Sequence, residues 1–79
     1  MDNTFDRVRD ILMFVLCVES SEIESDSKLV DLGADSLDMA MIESKIEECF
    51  DIDIPDHKGE IFYTVRDIVE YVDNESVMK

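Results

Sequence analysis

The sequence lacks tryptophan and has very little glycine, proline, histidine or cysteine. So few glycines and prolines, beside 46% hydrophobic residues, exclude a collagen-like or low-complexity chain. The sole histidine, His57, and the wide separation of Cys17 from Cys49 leave too few suitable ligands for a structural zinc site. We therefore expect no metal site, and we predict that both cysteines are free thiols buried as small hydrophobic side chains.

Long hydrophobic runs are absent as well. No apolar stretch approaches the roughly 20 residues that a membrane-spanning helix needs. The first ten residues, MDNTFDRVRD, lack the positively charged end and the apolar stretch of a signal peptide. The expected location is therefore the cytoplasm, without membrane insertion.

Basic side chains are scarce. Seven lysines and arginines stand against 21 acids, so the formal net charge is −14. A field of this sign repels nucleic acid and anionic membranes, and it attracts basic partners. The length predicts one domain over residues 1–79, whose thin core is unlike that of an enzyme with a deep, dry cavity. We therefore do not expect the chain to be an enzyme.

Helical periodicity is the clearest pattern that is present. Apolar residues recur at helical spacing from Phe5 to Leu16 and predict a helix over residues 4–18, capped by Asn3 or Thr4. Residues 19–35 show no sustained period and predict a long loop. Four apolar side chains are expected to pin this loop to the core: Ile23, Leu29, Val30 and Leu32.

A second helix is predicted to begin at Asp35 and Ser36, and Pro55 is expected to close its region. On a helical wheel one stripe faces the core, namely Met39, Ile42, Ile46, Cys49 and Phe50. Three apolar residues lie on the opposite side among acids: Leu37, Ala40 and Met41, beside Glu47, Glu48 and Asp51. An apolar patch inside an acidic face indicates a docking surface.

The last third of the chain predicts one short helical turn within residues 56–63 and a final helix that begins after Thr64. Thr64 and Asp67 resemble a capping box, and residues after Asn74 are expected to fray. The buried face of this helix is expected to be Val65, Ile68, Val69 and Val72. The predicted fold class is all-α, a small bundle of three main helices plus one short helix, with a long loop between the first and second helices.

Ser36, in the stretch DLGADSLDMA, allows three interpretations. It can cap the helix, although Asp35 caps equally well with Asp38 at the third helical position. A nucleophile would need a base and an oxyanion hole, and no motif beyond the single His57 offers them. As an anchor, Ser36 would hold an esterified phosphate at a helix N-terminus, where backbone N–H groups favour an anion.

These features together resemble an acyl carrier protein. The segment DLGADSLD, the following helix with Glu47 and Glu48, the stretch FDIDIPD and the final TVRDIVEYV match that family across nearly the whole chain. The resemblance implies a discrete, type II carrier with a phosphopantetheine arm, taken from coenzyme A and attached to Ser36. Acyl intermediates would be held on this arm as thioesters and delivered to fatty-acid or related biosynthetic enzymes.

The resemblance also implies site residues and partners. Partner contact is assigned by position to Asp35, Leu37, Asp38, Ala40, Met41, Glu47, Glu48 and Ile54. The acyl-chain pocket is assigned to Ile46, Ile54 and Phe62, although ordinary core packing explains these three equally well. The implied partners are a phosphopantetheinyl transferase and acyl-processing enzymes with basic docking patches, and the carrier itself is expected to be a monomer.

Two residues depart from the family's pattern and leave alternatives open. Met41 stands where a glutamate is expected, and Gly59 stands where alanine is usual. The chain is therefore also compatible with a specialised carrier for a polyketide or other secondary pathway, or with an acidic docking module that carries nothing. An EF-hand calcium site is excluded, because a loop counted from Asp51 has Asp56 and Phe62 where glycine and glutamate are needed.

Overall fold

The computed structural model describes residues 3–54 and 62–77, with side chains through residue 75. In these residues the backbone forms three α-helices, which are α1 (Thr4–Leu16), α2 (Ser36–Phe50) and α3 (Val65–Val77). Two short 3-10 turns lie between α1 and α2, and the described residues contain no strand beyond one isolated bridged pair. The predicted all-α bundle is confirmed. The short helical turn predicted within 56–63 falls almost entirely outside the described residues.

Helix α1 begins where a side chain satisfies its first backbone donors. Of the two predicted caps it is Asn3 that serves, and its side-chain oxygen accepts a hydrogen bond from the Asp6 N–H at 2.8 Å. The helix ends at Leu16, two residues earlier than predicted, because Cys17 adopts the left-handed conformation with φ of 57°. The Cys17 N–H then donates to the Met13 carbonyl at 3.0 Å, which closes the last turn.

The core lies where α1 packs against both other helices. Each helix contributes an aliphatic stripe, and the connecting segments add further side chains from either side. The buried residues are Val8, Ile11, Leu12, Ile23, Leu29, Ile42, Ile46, Ile52, Ile54, Phe62, Val65, Ile68 and Val72. Because burying one large aliphatic side chain stabilises a fold by roughly 1.5–3 kcal/mol, this cluster supplies the main force for folding.

The loop between α1 and α2 reaches the core with only part of its predicted set. Ile23 and Leu29 are buried and Leu32 is half-buried, as predicted. Val30 is 71% exposed, so its predicted core position is wrong. The reason is the 3-10 turn at Val30–Leu32, because residues three apart lie on one side of such a turn and Leu29 and Leu32 take the inward side.

Backbone hydrogen bonds fasten this loop to the segment before α3. The Leu29 N–H donates to the Tyr63 carbonyl at 2.8 Å, and the Val65 N–H donates to the Ser27 carbonyl at 3.1 Å. These bonds place Phe62 and Tyr63 beside Leu29, although more than 30 residues separate them in the chain. One wall of the candidate site is made by this pairing.

Helix α3 begins with the predicted capping box. Thr64 Oγ1 accepts from the Asp67 N–H at 3.2 Å, and the Asp67 carboxylate accepts from the Thr64 N–H at 3.1 Å. On its inward face Val65, Ile68 and Val72 are buried and Val69 is half-buried. The helix continues past Asn74 to Val77, where fraying is predicted from the sequence. No helix in the described part of the chain combines the length and hydropathy that crossing a membrane requires.

Both cysteines are free and exposed, so their predicted burial is wrong. Cys17 is the left-handed residue that ends α1, and its side chain therefore leaves the helical stripe. Cys49 belongs to the last turn of α2, where Arg7 packs between the helices. The Arg7 guanidinium donates to the Cys49 carbonyl at 2.7 Å and lies 4.3 Å from the centre of the Phe50 ring.

Helix α2 ends at Phe50, ahead of Pro55 in the chain. Asp51 adopts a left-handed conformation with φ of 56°, and it caps the helix that ends at Phe50. Pro55 itself lies outside the described residues, so its predicted effect stays a prediction. The Glu47 carboxylate accepts from the Ile54 N–H at 2.8 Å and holds the segment that follows against the helix.

Candidate functional site

Ser36 is the first residue of α2, and a capping box on either side of it fixes its position. The Asp35 carboxylate accepts from the Asp38 N–H at 2.9 Å, and the Asp38 carboxylate accepts from the Asp35 N–H at 3.3 Å. Asp35 therefore supplies the cap that Ser36 would otherwise supply. The Ser36 hydroxyl is exposed, and it forms no hydrogen bond among the described residues.

The turn before α2 requires a glycine. Gly33 has φ of 95° and closes the 3-10 turn, with its N–H donating to the Val30 carbonyl at 3.1 Å. Glycine adopts this conformation without the steric cost that a Cβ brings. The Ala34 N–H then donates to the Leu29 carbonyl at 3.1 Å, and Asp35 follows in an extended conformation.

A cavity of about 710 Å³ opens beside Ser36. Helix α2 lines it with Ser36, Met39, Ala40 and Glu43, and the opposite side includes Leu29, Val30, Phe62 and Tyr63. This volume lies within the range of about 300–1,000 Å³ that is typical of small-molecule pockets. A group bonded to Ser36 is therefore within reach of a mostly apolar space.

The predicted pocket residues are only partly at this cavity. Phe62 lines it, whereas Ile46 and Ile54 are buried in the core and do not line it. Ile46 lies one turn beyond the end of the cavity on α2, and Ile54 lies in the segment after that helix. The sequence analysis missed Met39 and Glu43 as lining residues. The available signal was their spacing of three and seven residues from Ser36, which places all three along one side of a helix.

Phe62 is held in the cavity wall by Tyr71 of α3. Their rings meet edge to face with centroids 5.6 Å apart, and the Tyr71 hydroxyl donates to the Asp53 carbonyl at 3.1 Å. Partial burial and the neighbouring carboxylates of Glu75, Asp53 and Glu47 raise the pKa of Tyr71 above its ordinary value of 10.0. The neutral phenol is therefore the favoured form in the folded chain.

The outward side of α2 matches the predicted docking surface at most positions. Leu37 is 76% exposed and Met41 is 48% exposed, and Ala40 and Glu48 are exposed as well. We call these four residues the α2 surface. Two residues assigned to partner contact lie elsewhere: Glu47 is half-buried and bonded to the Ile54 N–H, and the Ile54 side chain is only 6% exposed. Partner contact through Ile54 therefore stays a prediction, and it would use the small exposed part of this side chain.

The α2 surface continues onto α1 through Phe14, which the sequence analysis did not assign to any site. Phe14 is 68% exposed, and the Lys45 ammonium lies 5.1 Å from the centre of its ring. Lys45 is one helical turn after Met41, so its aliphatic stem links Phe14 to the α2 surface. The signal was present in the sequence, because Phe14 widens the apolar face of α1 beyond a single stripe.

Comparison with known proteins decides the family. The family described as Phosphopantetheine attachment site matches residues 6–72. An acyl carrier protein of a Sulfurovum species is 44% identical over 71 residues, covering 89% of this chain and 95% of the relative. The chain belongs to the acyl carrier protein family. An acyl carrier protein of Campylobacter hominis is 41% identical over 71 residues, covering 89% of this carrier and 90% of the relative. An acyl carrier protein of Campylobacter jejuni is 39% identical over 72 residues, covering 90% of this carrier and 94% of the relative.

Family membership excludes the acidic docking module that carries nothing. The protein is a carrier and not an enzyme, and it holds phosphopantetheine covalently. It interacts with acyl-processing enzymes. The geometry at Ser36 fits this group. The hydroxyl is exposed, has no bond to the residues that the structure describes, and lies at the start of a 15-residue helix whose positive dipole end favours a phosphodiester.

Proposed function

We propose that Ser36 is the attachment residue and that residues 1–79 act as one carrier domain for fatty-acid biosynthesis in the cytoplasm. The observation that carries this proposal is the exposed Ser36 hydroxyl, free of the capping role and adjacent to a cavity. The attached arm supplies a thiol that bears acyl groups as thioesters. Two exposed free cysteines agree with a reducing compartment.

Attachment uses the serine oxygen directly. The Ser36 Oγ forms a bond to the phosphorus that bears pantetheine, and the phosphoanhydride bond of coenzyme A breaks. Adenosine 3′,5′-bisphosphate leaves, and a base of the transferase takes the serine proton. Asp35 and Asp38 assist by holding the first turn of α2 in place, since both carboxylates are engaged with backbone N–H groups.

Partner enzymes are proposed to dock on the α2 surface. Leu37, Ala40 and Met41 offer a small apolar contact, and the surrounding acids of a chain with net charge −14 favour partners with basic patches. Phe14 and Lys45 extend this contact onto α1. A small apolar area gives modest affinity, so that each partner can release the carrier. The same net charge opposes self-association, which supports a monomer.

A carrier for a polyketide or other secondary pathway is the second candidate. It is favoured by Met41, which is about half exposed at the centre of the α2 surface. An apolar side chain at this position replaces an ionic contact with a hydrophobic one, and basic docking patches lose one partner charge. Turnover by a fatty-acid ketosynthase tests this candidate, with Met41→Glu beside the native chain: a marked gain in kcat/KM for Met41→Glu supports a separate pathway, and no gain counts against it.

The attachment residue is tested by intact mass. The purified chain is incubated with coenzyme A, magnesium and a broad-specificity phosphopantetheinyl transferase, beside Ser36→Ala and Ser44→Ala. Ser44 is an exposed serine two turns further along α2 and serves as the matched control. We expect the native chain and Ser44→Ala to gain one phosphopantetheine, and Ser36→Ala to gain none. A mass gain on Ser36→Ala would refute the assignment.

A further inference from the structure

Two exposed apolar side chains line the cavity on the side opposite α2. Val30 is 71% exposed and Tyr63 is 69% exposed, although Leu29 and Phe62, their neighbours in the chain, are buried. A single exposed hydrophobic residue is ordinary, but these two come from separate segments and line the same cavity as Ser36. We call Val30 and Tyr63 the outer wall. The outer wall is therefore an apolar surface, mostly open to solvent, in the cavity beside the proposed attachment residue.

Hydrogen bonds fix the backbone of the outer wall. The Tyr63 carbonyl accepts from the Leu29 N–H at 2.8 Å, and the Tyr63 N–H donates to the Asp67 carboxylate at 3.0 Å. The Val30 carbonyl accepts from the Gly33 N–H at 3.1 Å, in the turn before α2. Because the backbone is already ordered in both segments, a group that covers the outer wall costs little conformational entropy there.

Phosphopantetheine has the chemistry to cover this wall. Close to its phosphate it carries a carbon with two methyl groups, and a hydroxyl and two amides follow before the thiol. The methyl groups gain by leaving water for an apolar surface, whereas the amides can stay bonded to solvent in an open cavity. Val30 offers two methyl groups of its own, and Tyr63 offers a flat ring with a polar tip that an amide can bond.

Tethering favours the arm over other molecules that could cover the outer wall. A short flexible tether holds its free part at an effective concentration in the millimolar range, and the arm would be tethered at Ser36. Beyond its phosphate the arm is uncharged, so the net charge of −14 does not repel it. The arm therefore reaches the outer wall more readily than a free partner does.

We propose that the outer wall holds the phosphopantetheine arm between visits to partner enzymes, with the two methyl groups of the arm packed on Val30 and on the ring of Tyr63. Both are positioning residues, which orient the arm and take no part in acyl chemistry. The proposal depends on the proposed attachment at Ser36, because the arm starts there. A contact of this small area is readily given up when a partner enzyme takes the arm.

Nuclear magnetic resonance on the full chain tests the contact directly. The protein is labelled with carbon-13 and loaded from unlabelled coenzyme A, so that isotope-filtered nuclear Overhauser effects report only contacts between the arm and the protein. The chain has two tyrosines, and Tyr71→Phe identifies the ring signals of Tyr63 by elimination. We expect nuclear Overhauser effects from the methyl protons of the arm to the Tyr63 ring and to the Val30 methyl groups.

Calorimetry measures the same contact as a difference in melting midpoint between the chain with the arm and the chain without it. Attachment adds one phosphodiester to every variant, so its charge effect cancels when this difference is compared across variants. We expect the difference to fall by about 4 °C in Tyr63→Ala, the low end of the shift that one interaction gives a domain of this size. Tyr63→Phe keeps the ring and should keep the difference. Phe14→Ala is the matched control, because Phe14 is 68% exposed and does not line the cavity.

The outcomes separate this proposal from the attachment itself. A loaded native chain without nuclear Overhauser effects to the Tyr63 ring would overturn the proposal and leave the outer wall as a contact for partner enzymes. An unchanged midpoint difference in Tyr63→Ala, or an equal fall in Phe14→Ala, would overturn it too. In these cases intact mass still shows the arm on the chain. No mass gain on the native chain would instead overturn the proposed attachment, and this proposal with it.

Discussion

Two substitutions of Asp35 separate the stabilising effect of the helix cap beside Ser36 from the effect of the Asp35 charge. Asp35→Ala removes the side chain that accepts from the Asp38 N–H at 2.9 Å, whereas Asp35→Ser keeps an oxygen that can accept the same bond. Both changes remove one negative charge from a chain of net charge −14, so relief of repulsion is the same in each. The difference between the two variants therefore measures the cap alone.

The expected magnitude follows from the geometry. Loss of an N-cap typically costs about 0.5–2 kcal/mol. The other bond of the box is kept, because the Asp38 carboxylate accepts from the backbone N–H of residue 35. A change of about 1 kcal/mol shifts the melting midpoint of a domain of 60–100 residues by about 4–8 °C. We therefore expect Asp35→Ala to melt roughly 4–8 °C below Asp35→Ser at equal pH and salt.

The same two variants also test how available the Ser36 hydroxyl is to the transferase. Without the Asp35 side chain, the Ser36 hydroxyl is the nearest oxygen that can cap the helix, and its engagement would make it less available to the transferase. The rate of phosphopantetheine attachment, followed by intact mass, should therefore fall further in Asp35→Ala than in Asp35→Ser. Identical melting midpoints for the two variants would refute the reasoning about the cap, whatever the attachment rates are.

Two further predictions concern the turn before α2 and the wall of the cavity. Gly33→Ala should lower the free energy of unfolding, measured in urea, by about 1–2 kcal/mol. The cause is the backbone conformation, since φ is 95° and no atom lies within 4 Å of the added Cβ. Gly33→Asn should lose less stability, and an unchanged stability of Gly33→Ala would contradict the conformational argument. Tyr71→Phe should lose about 1 kcal/mol at neutral pH with its bond to the Asp53 carbonyl. Since the fold raises the pKa of Tyr71, the stabilisation from its neutral phenol is fully present below the ordinary pKa and is lost as pH rises through the folded pKa. The stability of Tyr71→Phe should therefore fall less steeply in alkali than that of the native chain. Parallel curves of stability against pH would contradict this role of the phenol.

The helix starts that could be predicted from the sequence are those capped by side chains close in the chain. Asn3 precedes α1, and Thr64 and Asp67 form their box at α3, because capping depends on residues three apart in the chain. The helix ends could not be predicted in the same way. Cys17 and Asp51 adopt left-handed conformations that are most typical of glycine, so neither residue carries the usual signal for a helix end.

The candidate site likewise has a part that depends on neighbouring residues in the chain and a part that depends on distant ones. Ser36 could be predicted because its neighbours in sequence, Asp35 and Asp38, also define its geometry. The cavity could not, because one wall depends on a backbone bond between Leu29 and Tyr63 that no local pattern reports. The assignments of Ile46 and Ile54 to the acyl pocket rested on family position, and the structure places both in the core away from the cavity lining.

A small carrier has to keep its attachment residue accessible without weakening the helix on which that residue lies. A serine at the start of a helix normally caps it, and its hydroxyl is then bonded to the backbone. Here Asp35 makes that bond, and the first turn keeps its cap while the Ser36 hydroxyl stays exposed. The two needs are met by adjacent residues with different roles. It follows that exchanging Asp35 and Ser36 would conserve composition and net charge yet disturb attachment, because the serine hydroxyl would then lie at the cap position and be bonded to the backbone.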